Sequence, residues 1–218
     1  MNTISFIQSN IMQKTITLPP LANKTIPDLV WYKLNSNIFN YKDTNIPIQD
    51  AISNGSSSYT QSRISKEKCY AFTGGNRSNY LFLPSITRSR KITFSCWLNV
   101  SVFGVGSRIF DYGDKFSLQI IDAKTLKFNN AYTVVYSSGI INTWKHIVFT
   151  VAGTKLLFYE NGVEILAVSM VDILSATPTR GFMAHSFGTE VNPTCKISDF
   201  RIYDRVLKAS EITTIYTG

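Results

Sequence analysis

Between Ile92 and Val100 every even position is apolar, namely Ile92, Phe94, Cys96, Leu98 and Val100, while the odd positions read Thr93, Ser95, Trp97 and Asn99. A period of two belongs to a β-strand, whose successive side chains point to opposite faces, and no helix can present it as one apolar stripe. Shorter runs of the same kind follow one another along the chain. They are Tyr80–Leu83 (ended by Pro84), Arg108–Tyr112, Phe116–Ile121, Leu126–Phe128, Tyr132–Tyr136, Lys145–Val151, Lys155–Glu160, Val163–Val168, Gly181–Phe187 and Cys195–Tyr203. Asn161-Gly162 lies between two of these runs. Both residues tolerate positive φ, so the pair reads as a two-residue hairpin turn. The one good helical stretch is Ala209–Tyr216, close to the end of the sequence. Many short strands at even spacing with a single terminal helix predict an all-β, antiparallel two-sheet jelly-roll sandwich with a short C-terminal helix.

Composition agrees with that expectation. Aromatics make up 13% of the 218 residues and charged residues only 17%, which excludes long helical bundles and coiled coils. Residues 1–27 are polar and contain Pro19, Pro20 and Pro27, so they read as an extended arm ahead of a single domain at 28–218. The segment from Asn35 to about Lys68 includes Asn54-Gly55-Ser56-Ser57-Ser58 and reads as a long loop. The formal net charge is +8, but the basic residues are scattered, and their densest cluster is Arg88-Ser89-Arg90-Lys91. No recognition helix or base-stacking motif accompanies that charge, so nucleic acid is not the expected partner. The cysteines, Cys69, Cys96 and Cys195, are odd in number and form no Cys-x-x-Cys, which indicates neither a disulfide framework nor a zinc site. No basic segment leads an apolar run at the start and no 18-residue apolar stretch exists, so the expectation is cytoplasmic synthesis without a secretory signal or membrane insertion.

Six pieces, in this order, resemble the laminin-G-like, concanavalin-A-like jelly-roll superfamily. Leu29-Val30-Trp31-Tyr32-Lys33-Leu34 resembles the opening strand, and Ala71-Phe72-Thr73-Gly74-Gly75-Asn76 the phenylalanine–glycine turn. Ile92–Leu98 resembles the long tryptophan strand, and Thr143-Trp144-Lys145-His146 opens one like the tryptophan–histidine strand. Leu157-Phe158-Tyr159-Glu160-Asn161-Gly162 resembles the tyrosine–asparagine–glycine hairpin. Ile197–Leu207 followed by Glu211-Ile212 resembles the closing strand and terminal helix. The superfamily contains lectins, receptor-binding modules, glucanases and structural appendages, so fold alone does not select among them.

Candidate sites follow from residue chemistry and from that resemblance. Retaining glycoside cleavage needs two carboxyls about 5–5.5 Å apart. The nearest acidic pair, Glu160 and Glu164, flanks a turn, and no Glu-x-Asp-x-x-Glu motif occurs, so no catalytic residue is assigned and an enzyme is not expected. His146 reads as a structural hydrogen-bonder. No cofactor is expected. The resemblance implies that a Ca²⁺, if held, would use Asp50, Asn76 and Asp199; the alternative for Asp199 is an ion pair with a neighbouring Arg or Lys. Trp97 is the candidate ligand-stacking residue, because parity puts it on the face opposite Phe94 and Cys96; the alternative is that it is covered.

The expected function is a non-enzymatic module that attaches to other protein subunits of a larger assembly, such as a virus particle. The arm would dock by strand addition, and the Asn-, Ile-, Lys- and Tyr-rich, Ala-poor composition suits an AT-rich genome. The alternative is a lectin-like module that binds glycans.

Overall fold

The computed structural model describes residues 30–35, 52–55, 57–64, 67–75, 79–104, 106–113, 116–128, 132–135, 139–170, 175–185 and 191–218. Its strands are β1 (Val30–Tyr32), β2 (Ile52–Asn54), β3 (Ser57–Gln61), β4 (Lys68–Thr73), β5 (Tyr80–Arg88), β6 (Lys91–Val102), β7 (Arg108–Asp111) and β8 (Ser117–Asp122). They continue with β9 (Thr125–Phe128), β10 (Tyr132–Val135), β11 (Lys145–Ala152), β12 (Lys155–Glu160), β13 (Val163–Ser169), β14 (Ser175–Met183) and β15 (Thr194–Tyr203), before helix α1 (Ala209–Thr217). Sheet A runs β13-β12-β11-β6-β15-β4-β3, with β1 also on β15, and sheet B runs β10-β9-β8-β7-β14-β5-β2. The strand pairings within both sheets are antiparallel, so the predicted sandwich is the observed one.

The alternation in β6 creates the core. Ile92, Phe94, Cys96, Leu98 and Val100 are at most 2% exposed and face sheet B. Phe94 packs at a tilt on Phe110 of β7, 4.1 Å between ring centroids, and Phe128 stacks on Phe149 at 4.8 Å. These rings join the layers through packed apolar contact, the main stabilising term of such a sandwich.

Sheet A is covered on its other face as well. Helix α1 buries Ile212 and Ile215 against Val148, Tyr159 and Tyr203, forming a second, smaller core with Leu207. Glu211 accepts a hydrogen bond from the backbone N–H of Lys208 at 2.8 Å, which holds the first turn. Covered on both sides, β6 and β11 bury their polar residues too: Thr93, Ser95, His146 and Thr150 are all 1% exposed or less. Among the described residues no helix is long and apolar enough to cross a membrane.

The Asn161-Gly162 turn has positive φ at both residues, 51° and 80°, and joins β12 to β13 as the sequence predicts. A Cβ on Gly162 would lie 3.2 Å from the Tyr216 ring, a tight contact that Tyr216 could relieve only by shifting, so the helix adds to the preference for glycine there.

Three expectations change. The segment read as a long loop contains β2 and β3, whose residues Ser53, Asn54, Ser57, Ser58 and Thr60 carry no apolar alternation. Both lie at sheet ends, where one neighbour suffices. Pro84 does not end its strand. Ser85 pairs with Arg180 and Leu83 with Gly181, so Pro84 is the extra residue of a bulge and its missing N–H breaks no ladder bond. The run read as Gly181–Phe187 is instead Ser175–Met183, extending upstream through Pro178. The arm expected at residues 1–27 lies outside the described residues.

Candidate functional site

Two surfaces collect candidate functional side chains, one on the outer face of each sheet.

On sheet A the site is made by a bulge in β15. Ser198 pairs with Trp97 and Arg201 with Ser95, so two residues of β15, Asp199 and Phe200, stand opposite one of β6. Asp199 absorbs the extra residue with a φ of 53°. Phe200 therefore stays in the core, while Ser198 and Arg201 both face outward. Arg201 donates to both carboxylate oxygens of Asp199, through Nε at 2.8 Å and Nη2 at 2.6 Å. This bidentate fork is the ion pair anticipated as the alternative for Asp199. It leaves the carboxylate poorly suited to Ca²⁺, since a cation would sit against a guanidinium. Asp50 and Asn76, the other two residues expected at a Ca²⁺, lie outside the described residues. Among the described residues no three His, Cys, Asp or Glu side chains come together as a metal-holding group.

Trp97 is outward on β6, as parity predicts, but it is covered. It is 6% exposed, Tyr216 of the helix stacks on it at 5.6 Å, and the Arg63 guanidinium lies 3.8 Å above its ring. His146 lies against the same indole at 5.2 Å, and its Nε2 is 3.0 Å from Ser95 Oγ. Burial is the main reason its pKa falls from 6.5 to about 3; Asp199 opposes that shift, and Arg201 and Arg63 add to it. His146 is a neutral structural residue, as the sequence suggested.

Sheet B carries what the sequence reading missed. Phe82 of β5 pairs directly with Phe182 of β14, and Phe182 pairs with Asp111 of β7. Leu81, Leu83 and Met183 point into the core, so Phe82 and Phe182 point out. Tyr80, two residues before Phe82, shares its face. His185 stacks on Phe182 at 4.8 Å and meets Tyr80 edge-on at 4.7 Å. Tyr80 also contacts Phe82 at 4.9 Å and Phe182 at 5.8 Å. All four rings are only partly buried. The end of β14 is anchored to β7 by two hydrogen bonds: Ala184 N–H donates to the Ile109 carbonyl at 2.8 Å, and Arg108 N–H donates to the His185 carbonyl at 3.2 Å.

Polar groups flank the rings. Arg108 pairs with Gln119 and Gln119 with Lys127 across β7, β8 and β9, and all three are partly exposed. Asp111 is buried, ion-paired with Arg108, and accepts from Gly113 N–H at 2.5 Å. Its carboxylate is thus an internal brace that orients Arg108. Within β5, β7 and β14 it is the only carboxylate, so these strands do not supply the pair that retaining cleavage requires. Glu160 and Glu164 lie elsewhere, on sheet A. Glu160 is not an exposed hairpin charge: it pairs with the buried Lys145 at 2.5 Å, and Glu164 accepts from the Tyr159 hydroxyl at 3.0 Å.

With this geometry in place, comparison with known proteins identifies the class. A family profile described as the concanavalin A-like lectin/glucanases superfamily, of laminin G type, matches residues 73–213. The chain belongs to that superfamily. Solved structures with the same fold include domain 4 of AbnA, an extracellular arabinanase from Geobacillus stearothermophilus, in complex with arabinotriose. It is 16% identical with a TM-score of 0.68, over 86% of this chain and 97% of that domain. The binding domain of Paraclostridial mosquitocidal protein 1 is also similar, at 16% identity and a TM-score of 0.67, over 88% of this chain and 52% of that one. So is botulinum neurotoxin type C, whose cell entry depends on two ganglioside molecules, at 14% identity and a TM-score of 0.65, over 87% and 50%. The chain thus spans about half the length of the toxin structures, and almost all of the arabinanase domain. Comparison with curated protein sequences gives no match.

Proposed function

We propose that the protein is a non-catalytic, lectin-like module that binds a neutral oligosaccharide on the outer face of sheet B. One observation carries this reading: Tyr80, Phe82, Phe182 and His185 form a contiguous, partly exposed ring cluster beside Arg108, Gln119 and Lys127. Sugar rings present weakly positive C–H edges that lie favourably on the negative face of an aromatic ring. Their hydroxyls need donors and acceptors at the border, which the flanking side chains supply. Three of the four rings sit on paired strands, and His185, just past β14, is tied to β7 through its carbonyl, so the platform is held in place before a ligand arrives. The arabinanase domain solved with arabinotriose has the same fold, which supports the choice of ligand class. A glycan array followed by titration calorimetry tests the proposal. Binding is expected for the folded wild type and is lost in Phe182→Ala and Tyr80→Ala. Retained affinity in both folded variants rules out the platform.

Attachment within a larger assembly, such as a virus particle, is the second reading. The observation that favours it is β13, an edge strand of sheet A whose Val163 and Ile165 are 63% and 45% exposed. Such an edge can accept a strand from another subunit. Co-purification of the native protein in a stable stoichiometric complex, lost on Ile165→Lys, is the result this reading predicts.

A further inference from the structure

We infer that the outer face of sheet A holds a second site, which takes the carboxylate of a single acidic sugar. The β15 bulge opens a cavity of about 180 Å³ there, with Lys33, Arg63, Glu67, Ser198, Asp199 and Arg201 among its lining residues. That is smaller than the roughly 300–1,000 Å³ of most ligand pockets, so it fits one acidic residue rather than a chain of sugars.

Charge in the cavity is unevenly committed. Asp199 is taken up by the Arg201 fork. Glu67 is exposed, so solvent and salt screen it. Arg63 differs from both. Its guanidinium carbon lies over Trp97, 3.8 Å from the ring centroid, and among the described residues no carboxylate comes within ion-pairing distance of it. Trp97 is in turn held by His146, its cross-strand partner on β11, and by Tyr216 of the helix. An arginine held over a ring in this way has lost its rotamer freedom already and keeps its in-plane N–H donors for a planar partner. A carboxylate matches that fork with two parallel hydrogen bonds. Lys33 adds a second positive charge and Ser198 a hydroxyl on the same wall. A net charge of +8 favours the approach of acidic ligands.

This site is separate from the ring platform, and its ligand is charged where the other is neutral. A chain that binds no neutral oligosaccharide therefore leaves the acid titration unaffected. The test is calorimetry at low salt with D-glucuronate, its methyl ester, D-glucose, N-acetylneuraminate and inorganic sulfate. At least one of the two acids is expected to saturate, with binding that weakens as NaCl is raised; the ester and glucose are expected to give no signal. Arg63→Gln should weaken acid binding about tenfold or more, and Arg63→Lys should weaken it less. If Arg63→Gln does not fold, Ser198→Val alters the same wall without removing a charge and is expected to weaken binding several-fold. Equal binding of acid and ester, binding of sulfate alone, no binding of either acid, or full affinity in the folded variants each overturns the inference.

Discussion

Lowering the pH from 7.5 to 5 should destabilise the protein through one residue, His146. Its ring is fully buried between Trp97, Tyr216 and Ser95, where burial depresses its pKa from 6.5 to about 3. The unfolded chain therefore binds a proton below about pH 6.5 that the folded chain refuses until about pH 3. Stability is complete above pH 6.5 and falls as pH drops through that window. A shift of this size costs about 2 kcal/mol at pH 5 and approaches about 5 kcal/mol near pH 3, at 1.36 kcal/mol per unit. The chain has only two histidines, so few other groups titrate between pH 7.5 and 5. Urea unfolding at pH 7.5, 6.5, 5.5 and 5.0 reads the effect directly, with His146→Gln as the non-titrating reference. The wild type should lose about 2 kcal/mol across the range while the variant stays nearly flat. A wild-type midpoint that does not move, or one that moves equally in His146→Gln, refutes the reasoning.

Other perturbations separate the parts of the fold. Phe94→Ala removes a ring packed on both Phe110 and Phe200 and should cost about 3–5 kcal/mol in denaturant unfolding. Gly162→Val forces a β-branched residue to a φ of 80° and into the Tyr216 ring, so the melting temperature should fall by several degrees, about 1–2 kcal/mol from the backbone alone. Glu160→Gln breaks the pair with buried Lys145 and should cost about 1–3 kcal/mol, against less than about 1 kcal/mol for Glu164→Gln. Neither glutamate variant should alter oligosaccharide affinity, because both residues are on sheet A, away from the rings.

The strong periodicities were legible because a single physical cause acts on each. Ile92–Val100 alternates since one face of β6 meets sheet B, and Asn161-Gly162 is required by two positive φ values. β2 and β3 were not legible, because runs rich in Ser, Thr and Asn leave no apolar alternation to read. Trp97 shows the limit of parity. Its side was correct, yet what covers it comes from Arg63 and Tyr216, distant in sequence and joined to it only by the folded chain. The ring platform was missed for a similar reason. Phe82 and Phe182 stand 100 positions apart, and only the β5–β14 register makes them neighbours. One signal was present: Tyr80-Leu81-Phe82-Leu83 is apolar on both faces of a strand. Among the described residues sheet B has a core on one face only, and Leu81 and Leu83 face it, which leaves Tyr80 and Phe82 outward.

The central claim is that sheet B's outer face is the glycan-binding surface. The most direct test is an NMR titration of the isotopically labelled protein with the best neutral oligosaccharide from the array. The expected result is saturable shift changes in the amides of Tyr80, Phe82, Phe182 and His185 and in the side chains of Arg108 and Gln119, with sheet A unchanged. Saturable changes confined to sheet A, or none anywhere with any neutral oligosaccharide, would contradict it.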